Sequence, residues 1–259
     1  MKTALITGAS SGIGKVFAEE LAAGQTNLVL VARREDKLQE IAANLSDKFS
    51  IKVDIFPQDL TDINAAKNVF NFVTNKGITI DLLINNAGFG DYGAFVERER
   101  ERQLQMIQLN VLALVDLTYQ FLPGMRERKS GGIINLASIA AFQPLPYLAV
   151  YAATKSFVLS FSEALWAENS SYGVKILAVC PGPTETEFFQ EAKFPKSFES
   201  ANKNSYTSPE EVVKESLKAL AENKANIVTG GWKNQIIVNA SRFLPRETLV
   251  STIEKQLKM

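Results

Sequence analysis

Tyr151 and Lys155 are the two residues whose types and spacing most directly suggest chemistry. A phenol and an ammonium four positions apart lie on the same face of any helix that contains both, so each can feel the charge of the other. The pair could form a proton donor whose pKa is adjusted by a neighbouring cation. On spacing alone, an amphipathic helix with one solvated end is the simpler explanation. The rest of the chain decides between these two interpretations.

The composition narrows the chemistry. The chain has 259 residues, of which 46% are apolar and 22% charged, which is enough for one full-sized domain with a buried core. Lys plus Arg and Asp plus Glu number 28 each, so no basic field is available for nucleic acid or an anionic membrane, and neither partner is expected. There is no histidine, which excludes a Ser-His-Asp triad and a zinc site. Acid–base chemistry must therefore use Tyr, Lys, Asp or Glu, and no metal is expected.

The compartment is predicted from one cysteine and the first residues. Cys180 has no partner for an intramolecular disulfide. The sequence begins with a strand-like run and shows neither the basic region nor the long apolar core of a signal peptide. We expect a cytoplasmic protein.

The elements that must position Tyr151 and Lys155 are indicated by alternating patterns. Short apolar runs predict strands at residues 2–7, 27–32, 51–56, 81–85, 132–137 and 174–179. Helical spacing follows at residues 15–23, 37–45, 65–73 and about 98–125, where the helix should end near Pro123-Gly124, and again in the segment that carries Tyr151. Continuous apolar strands separated by helices predict a parallel sheet covered on both faces. The fold class is therefore α/β, doubly wound, in one domain of three αβα layers over residues 1–259.

A glycine-rich turn lies between the first strand and the first helix. Glycines there let the backbone approach a pyrophosphate, while free amides and the helix dipole attract its charge. An ordinary flexible loop is the alternative. The position of the turn favours a dinucleotide site, formed by Gly8, Ser10, Ser11, Gly12, Ile13 and Gly14.

Arg33 bears on the choice of cofactor. An NAD site would place an acidic residue after the second strand to hold the ribose hydroxyls. Ala32 and Arg33 stand there instead, and a guanidinium can fork onto a 2′-phosphate and stack on adenine. The alternative is that Arg33 and Arg34 merely open the next helix, where cations oppose the dipole. The sequence favours NADP(H), with NAD(H) as the second possibility.

Two further segments follow predicted strands and complete the predicted dinucleotide site. Asp59, followed by Leu60, could accept a hydrogen bond from the adenine amino group, whereas Asp62 is expected to cap the next helix. The segment from Asn85 to Gly88 lies where open α/β sheets bind ligands. Its Asn86, Ala87 and Gly88 suit close approach to a ribose, and the same loop could simply be a turn.

Together these motifs resemble a known family. They occur in the order Thr7-Gly8-x-x-x-Gly12-x-Gly14, Asn85-Asn86-Ala87-Gly88, Asn110, Ser138, Tyr151-x-x-x-Lys155 and Pro181-Gly182. This ordered set, which spans the chain from Thr7 to about Thr186, resembles the classical short-chain dehydrogenase/reductase family. The resemblance implies a single-domain oxidoreductase with a Rossmann-type parallel sheet of about seven strands, the last near residues 226–229.

The resemblance also implies roles for individual residues. Tyr151 and Lys155 would border the cofactor, with Lys155 on the nicotinamide ribose, and Asn110 would position a water that links Lys155 to solvent. The segment containing Pro181, Gly182 and Thr184 would hold the nicotinamide carboxamide. A homodimer or homotetramer that pairs the helices of Asn110 and Tyr151 is implied as well.

The chemistry can be stated independently of the family. Reduction of a carbonyl needs hydride from a nicotinamide at carbon and a proton at oxygen. Tyr151 is the candidate donor, and Lys155 together with an oxidised nicotinamide should lower its pKa from about 10. Ser138, at the end of the fifth strand, could hold the substrate oxygen. The alternative for Ser138 is a strand-end serine that satisfies the backbone.

Aromatic and apolar residues near this point suggest the substrate. They are Phe89, Tyr92, Phe95, Phe142, Pro144, Leu145, Leu148, Phe188, Phe189 and Phe194. If they face inward, the substrate is a hydrophobic ketone, aldehyde or alcohol, such as an acyl or steroid-like compound. Residues 185–208 could form a lid. Residues 230–259, split by Pro245, predict a C-terminal extension of two amphipathic helices that pack on the domain, pair across a dimer or, least favoured, touch a membrane.

Three functions remain open at this stage. The leading hypothesis is an NADPH-dependent carbonyl reductase. The second is an NAD(P)-dependent alcohol dehydrogenase that works in the oxidative direction, since the same residues serve both directions. The third is a non-catalytic, dinucleotide-sensing regulatory protein, against which the intact Ser138, Tyr151 and Lys155 argue.

Overall fold

Seven parallel strands form one sheet in the order β3-β2-β1-β4-β5-β6-β7 in the computed structural model, which describes residues 1–195, 206–240 and 245–258. The strands are β1 (Thr3–Thr7), β2 (Asn27–Ala32), β3 (Val53–Pro57), β4 (Leu82–Asn85), β5 (Gly131–Leu136), β6 (Val174–Pro181) and β7 (Asn226–Thr229). Every neighbouring pair is parallel. The strand order reverses at β1 and β4, which is where open α/β sheets bind ligands. The predicted doubly wound fold with about seven strands is confirmed.

Helices cover both faces of the sheet. They are α1 (Gly12–Ala23), α2 (Glu35–Phe49), α3 (Ala65–Asn75), α4 (Arg100–Ile107), α5 (Leu114–Glu127), α6 (Ala149–Asn169), α7 (Phe188–Glu191), α8 (Pro209–Ala221), α9 (Gly231–Ala240) and α10 (Arg246–Leu257). Alternate residues of β1 separate the two cores, since Ile6 packs with α1, α2 and α8 while Leu5 packs with α3 and α5. The result is the predicted three-layer αβα arrangement.

The long helical region departs from the prediction in two respects. It continues through Pro123 to Glu127, so the expected end near Pro123-Gly124 is wrong. Met125 is fully buried beneath the last turn, and that packing outweighs the hydrogen bond that a proline lacks. Between α4 and α5 the chain forms a π-helical segment, Gln108–Ala113, which carries Asn110. Such segments interrupt the regular hydrogen-bond ladder and occur often at functional sites.

The turn after β3 also differs from the prediction. Helix α3 begins at Ala65, too far along the chain for Asp62 to cap it, and its cap residue, Asn64, makes no side-chain hydrogen bond. The Asp62 carboxylate instead accepts a hydrogen bond from Gln58 Nε2 at 3.2 Å. Asp59 closes the turn by accepting from the backbone N–H and hydroxyl of Thr61 at 2.9 and 2.8 Å. The expected cap by Asp62 is wrong because two more turn residues precede the helix.

The C-terminal extension forms two helices on either side of the segment that precedes Pro245, as predicted. Leu249 and Ile253 of α10 are buried, and the hydroxyl of Tyr92 donates a hydrogen bond to the carbonyl oxygen of Leu257. Helix α10 therefore packs on the domain beside the segment that contains Tyr92. In the part of the chain that the structure describes, no helix has the length and apolar character needed to cross a membrane. Of the predicted lid, residues 196–205 lie outside the described residues.

Candidate active site

The glycine-rich turn after β1 places its backbone close to neighbouring chain. Gly8 and Gly12 have φ values of +64° and +53°, which favour glycine. A Cβ on Gly14 would overlap the Gly8 carbonyl oxygen and lie 2.5 Å from Asn86 Nδ2. The three glycines of the predicted fingerprint are thus required by conformation or by space.

Asn86 and Thr7 fix this turn against the end of β4. Asn86 Nδ2 donates to the carbonyl oxygens of Thr7 and Gly8 at 2.9 and 3.2 Å. The Thr7 hydroxyl accepts from the backbone N–H groups of Asn86 and Ala87, both at 3.0 Å. The Nδ2 group of Asn86 therefore holds the turn, and the predicted role of Asn86 at a ribose stays a prediction.

The N-terminus of α1 offers free donors at the mouth of the turn. Its cap residue, Ser11, makes no side-chain hydrogen bond to the helix, and no acidic residue lies in the first turn, which contains Gly12, Ile13 and Gly14. Unpaired N–H groups and the positive end of the helix dipole form an anion site. These residues fit the pyrophosphate of a dinucleotide.

Thr186 is a neighbour of the turn that the sequence analysis did not assign. Its methyl carbon would lie 3.2 Å from a Cβ built on Gly12. The segment after β6 therefore lies over the glycine-rich turn. The only sequence signal was that the family resemblance extends to about this residue.

Arg34, rather than Arg33, contacts the glycine-rich turn. Its Nη2 lies 2.8 Å from Ser11 Oγ and 3.2 Å from Ser10 Oγ, and also 3.4 Å from Glu187 Oε2. Arg33 is exposed. The predicted binding of a 2′-phosphate by Arg33 stays a prediction. Arg34 is a second guanidinium near the turn, and the sequence analysis had assigned it only to the start of the next helix.

The remaining cofactor candidates lie at the same edge of the sheet. Leu60 is buried, and one oxygen of Asp59 is occupied by Thr61. After β6, the Thr184 hydroxyl donates to the Gly182 carbonyl oxygen at 2.9 Å. A Cβ on Gly182 would overlap Asn234 Nδ2, so this glycine is required by packing against α9. Pro181 ends β6. Its predicted role toward the nicotinamide carboxamide stays a prediction.

Ser138, Tyr151 and Lys155 meet where β5 ends and α6 begins. The Ser138 side chain lies close enough to Tyr151 to act on its pKa, and Ser138 Oγ accepts from the Ala140 N–H at 3.1 Å. Lys155 Nζ lies 5.8 Å from the centre of the Tyr151 ring and donates to the Leu136 carbonyl oxygen at 2.7 Å. One turn of α6 thus places the phenol and the ammonium on one buried face, as their spacing predicts.

Burial dominates the pKa values of both residues in the chain without a cofactor. It raises the pKa of Tyr151 to about 12, although the nearby Ser138 side chain opposes this. The predicted lowering by Lys155 together with an oxidised nicotinamide stays a prediction. Burial also lowers the pKa of Lys155 to about 8, and its Nζ donates to Leu136. A phenol with a raised pKa keeps its proton at neutral pH, which a donor to a carbonyl oxygen requires.

Asn110 has the polar partners that its burial demands. Its side chain donates to the Phe89 carbonyl oxygen at 3.0 Å and accepts from the Phe89 N–H at 3.1 Å. It also contacts the Thr154 hydroxyl at 3.1 Å, one residue before Lys155. A Cβ on Gly88 would lie 2.9 Å from Asn110 Oδ1 and 3.5 Å from Lys155 Nζ. Asn110 therefore joins the segment after β4 to α6; its predicted role toward a water stays a prediction.

Aromatic side chains pack beside the ring of Tyr151. Phe188 lies 5.3 Å from the Tyr151 ring, centre to centre, and also contacts Phe189 at 5.6 Å. Three segments that the sequence analysis singled out meet in one apolar cluster, which includes Phe89, Tyr92, Leu145, Leu148, Phe188, Phe189 and Phe194. Of the predicted set, Phe95 is instead exposed. An apolar substrate would meet these walls before it reached Tyr151.

A buried ion cluster, which the sequence analysis did not find, supports one of these walls. The side chain of Asp91 is fully buried and accepts from Arg98 at 2.7 and 2.8 Å, from Arg102 at 2.9 Å and from Gln103 at 2.7 Å. Burial alone would raise the pKa of Asp91, but the two guanidiniums outweigh it and hold the pKa below its usual value. Arg102 also donates to the Glu191 carbonyl oxygen at 2.6 Å.

Fold and site together define the class of protein. A doubly wound parallel sheet with a glycine-rich turn at its first crossover binds a dinucleotide. A Ser-Tyr-Lys set at the switch point supplies a proton beside it. These features define a dinucleotide-dependent oxidoreductase.

Comparison with known proteins gives the family. A sequence model of the short chain dehydrogenase family matches residues 2–196. The chain is 31% identical over 249 residues to a very-long-chain 3-oxoacyl-CoA reductase of Bos taurus, covering 93% of this chain and 75% of that one. The chain therefore belongs to the short-chain dehydrogenase family and is an NAD(P)-dependent oxidoreductase that acts on alcohol or carbonyl groups. The family, the enzyme class and the nicotinamide cofactor predicted from the sequence are confirmed.

Two other similar proteins are informative. A short-chain dehydrogenase from Sphingobium yanoikuyae, solved in complex with NADPH, is 33% identical with a TM-score of 0.81 and covers 88% of this chain and 87% of its own. A Homo sapiens protein named inactive hydroxysteroid dehydrogenase-like protein 1 is 29% identical over 246 residues, or 93% of this chain and 72% of that one. The fold is thus shared with a protein that binds NADPH and with one whose name denies activity.

Proposed function

We propose that the protein is an NADPH-dependent carbonyl reductase that reduces a hydrophobic ketone or aldehyde. The observation that carries this proposal is the buried Tyr151, with Ser138 and Lys155 beside it and aromatic side chains packed against its ring. Oxidation of a secondary alcohol by the same residues is the reverse reaction. The raised pKa of Tyr151 keeps the phenol protonated at neutral pH, as a proton donor must be.

Each residue of the site has its own role in the proposed reaction. When bound, the cofactor supplies hydride to the carbonyl carbon. Ser138 and Tyr151 hold the carbonyl oxygen, and Tyr151 gives it a proton. Lys155 places a cation near the phenolate that remains, and such a charge favours that ion. Asn110 holds the wall segment at Phe89 against α6.

NADP(H) is the cofactor that we propose. Arg33 and Arg34 directly follow β2, so positive charge stands where the acidic residue of an NAD site would repel a 2′-phosphate. The NADPH complex of the similar Sphingobium yanoikuyae protein supports the same choice.

A bulky apolar carbonyl compound is the proposed substrate class. The walls contributed by Phe89, Phe188 and Phe189 present little that could pair with sugar hydroxyls. The similarity to a very-long-chain 3-oxoacyl-CoA reductase supports a 3-oxoacyl compound, and steroid-like ketones share the required shape and polarity.

A carbonyl panel tests the proposal. Purified protein is mixed with NADPH and 3-oxoacyl thioesters, steroid ketones, aromatic aldehydes and ketosugars, and NADPH absorbance is followed. We expect consumption with at least one apolar carbonyl, slower consumption of NADH and least with sugars. Faster consumption of NADH would contradict the cofactor choice. Tight NADPH binding without turnover on any compound would favour the dinucleotide-sensing alternative.

A further inference from the structure

The Arg34–Glu187 pair joins two segments at the edge of the cofactor site. Arg34 follows β2, Glu187 precedes α7, and their side chains approach to 3.4 Å. The same guanidinium binds the hydroxyls of Ser10 and Ser11, both in the glycine-rich turn. One cation therefore links three segments around the expected pyrophosphate.

We propose that Glu187 occupies on Arg34 the position that the 2′-phosphate of NADP(H) takes, so that the two anions compete for one guanidinium. This inference rests on the proposed NADP(H) specificity and deepens it. Carboxylate and phosphate are the two anions whose oxygens match the fork of an arginine. Arg34 donates to Glu187 through both Nη1 and Nη2, each at 3.4 Å.

The Arg34–Glu187 ion pair is weak enough for another anion to replace Glu187. The Arg34 and Glu187 side chains are 45% and 56% exposed, and an exposed pair of this kind is weak. A phosphate has more charge and more acceptor oxygens than a carboxylate, so it displaces Glu187. NAD(H) lacks this phosphate and leaves the pair intact. Glu187 thus reduces the affinity for NADP(H) and leaves that for NAD(H) unchanged.

Release of Glu187 also bears on the substrate site, because the next residue is Phe188. Its ring lies between Gly90, on which a Cβ would come within 2.8 Å, and Tyr151 at 5.3 Å. The Arg34–Glu187 pair holds the backbone immediately before this ring. Breaking the pair therefore frees one end of the aromatic wall above Tyr151.

The test is a double-mutant cycle on equilibrium binding. Dissociation constants for NADP⁺ and NAD⁺ are measured by calorimetry on the full chain for wild type, Glu187→Gln, Arg34→Gln and the double variant. Glu185→Gln is the matched control. Glu185 is also exposed and lies two residues before Glu187, so the change removes the same charge. Calorimetry on oxidised cofactor needs no substrate and no turnover.

We expect Glu187→Gln to tighten NADP⁺ about two- to five-fold, as loss of a weak competing pair allows, and to leave NAD⁺ unchanged. Arg34→Gln should weaken NADP⁺ by about ten-fold or more, as expected for a lost charged contact. In the Arg34→Gln background, Glu187→Gln should not change the affinity for NADP⁺. The effect of Glu185→Gln on NADP⁺ affinity should not depend on Arg34.

Three results would overturn the inference: unchanged or weaker NADP⁺ binding in Glu187→Gln, equal tightening of NAD⁺, or tightening that persists without Arg34. Failure of wild type to prefer NADP⁺ to NAD⁺ is a separate result, and it would overturn the proposed cofactor specificity itself.

Discussion

Burial acts in opposite directions on the two ionisable residues at the centre of the site. It raises the pKa of Tyr151 to about 12 and lowers that of Lys155 to about 8. Both shifts favour the neutral form, since burial disfavours charge. Sequence spacing predicted that the two residues share a helical face, but it contained no information on how deeply they are buried. The effect of burial on the two pKa values could therefore not be predicted from the sequence.

The shift at Lys155 predicts how stability depends on pH. The folded value of about 8 lies below the ordinary value of 10.5, so the unfolded chain binds more protons between them and the free energy of unfolding rises with pH. Between about pH 8 and about pH 9 the gain from Lys155 is on the order of 1 kcal/mol. Burial raises the pKa of Cys180 and of Tyr151 to about 12, so these two groups act oppositely above their ordinary values of 9.0 and 10.0. Urea unfolding should show this rise in wild type and not in Lys155→Met. Equal slopes in the two proteins would show that Lys155 is not held with a lowered pKa.

The elements around the glycine-rich turn could be predicted because their causes are local. Apolar runs define buried strands, and Gly8, Gly12 and Gly14 mark a backbone that side chains would obstruct. The π-helical segment at Asn110, the cluster at Asp91 and the contact of Arg34 with Ser11 could not be predicted. The contact of Arg34 with Ser11 joins two segments that meet only after β1 and β2 have paired. The Asp91 cluster and the π-helical segment depend on how the chain after β4 folds back on itself, which no apolar pattern indicates.

Gly14→Ala should disturb the start of α1 and abolish dinucleotide binding. The added methyl would overlap the Gly8 carbonyl oxygen and crowd Asn86 Nδ2, so the turn must shift, at a cost of about 1–3 kcal/mol. Gly24→Ala, at the other end of α1, is the control, because its nearest neighbours would lie at 3.5 Å. Calorimetric titration with NADP⁺ and thermal unfolding measure both effects. Normal binding in Gly14→Ala would mean that the turn tolerates a side chain.

Asp91→Asn should weaken the wall that carries Phe89. The change leaves Arg98 and Arg102 without their carboxylate, and breaking such a buried pair costs about 3–5 kcal/mol. KM for an apolar carbonyl should rise more than kcat falls, because Tyr151 is not a partner of Asp91. Asp116, which is only partly buried and accepts from Gln120, provides the control Asp116→Asn. Steady-state kinetics and urea unfolding decide, and stability within 1 kcal/mol of wild type would contradict the importance of the cluster.

In the whole molecule, the sheet and its covering helices could be predicted because the alternation of apolar strands and helices repeats along the chain. The assembly into a homodimer or homotetramer stays a prediction. Leu112, Tyr119 and Phe157 are 51%, 75% and 43% exposed on the π-helical segment, α5 and α6. These are the helices expected to pair in a homodimer, and apolar residues at such a face would be buried there. The C-terminal helix α10 packs instead on its own domain.

A charged substitution tests the expected dimer. Tyr119→Glu combined with Phe157→Glu should halve the mass measured by light scattering, because burial of two carboxylates opposes association. Ile63→Glu, at an 84% exposed position before α3, should leave the mass unchanged. A wild-type protein with the mass of one chain would rule out the dimer.

In the proposed reaction, Tyr151 gives the proton to the substrate oxygen. The most direct measurement compares NADPH-dependent reduction by wild type and Tyr151→Phe on the best carbonyl of the panel, with NADP⁺ affinity measured on the same samples. Phenylalanine keeps the ring contact with Phe188 and removes only the hydroxyl. We predict that kcat falls by about 10²–10⁴-fold while the dissociation constant of NADP⁺ stays within a factor of about two to three. Turnover at the wild-type rate in Tyr151→Phe would contradict the assignment.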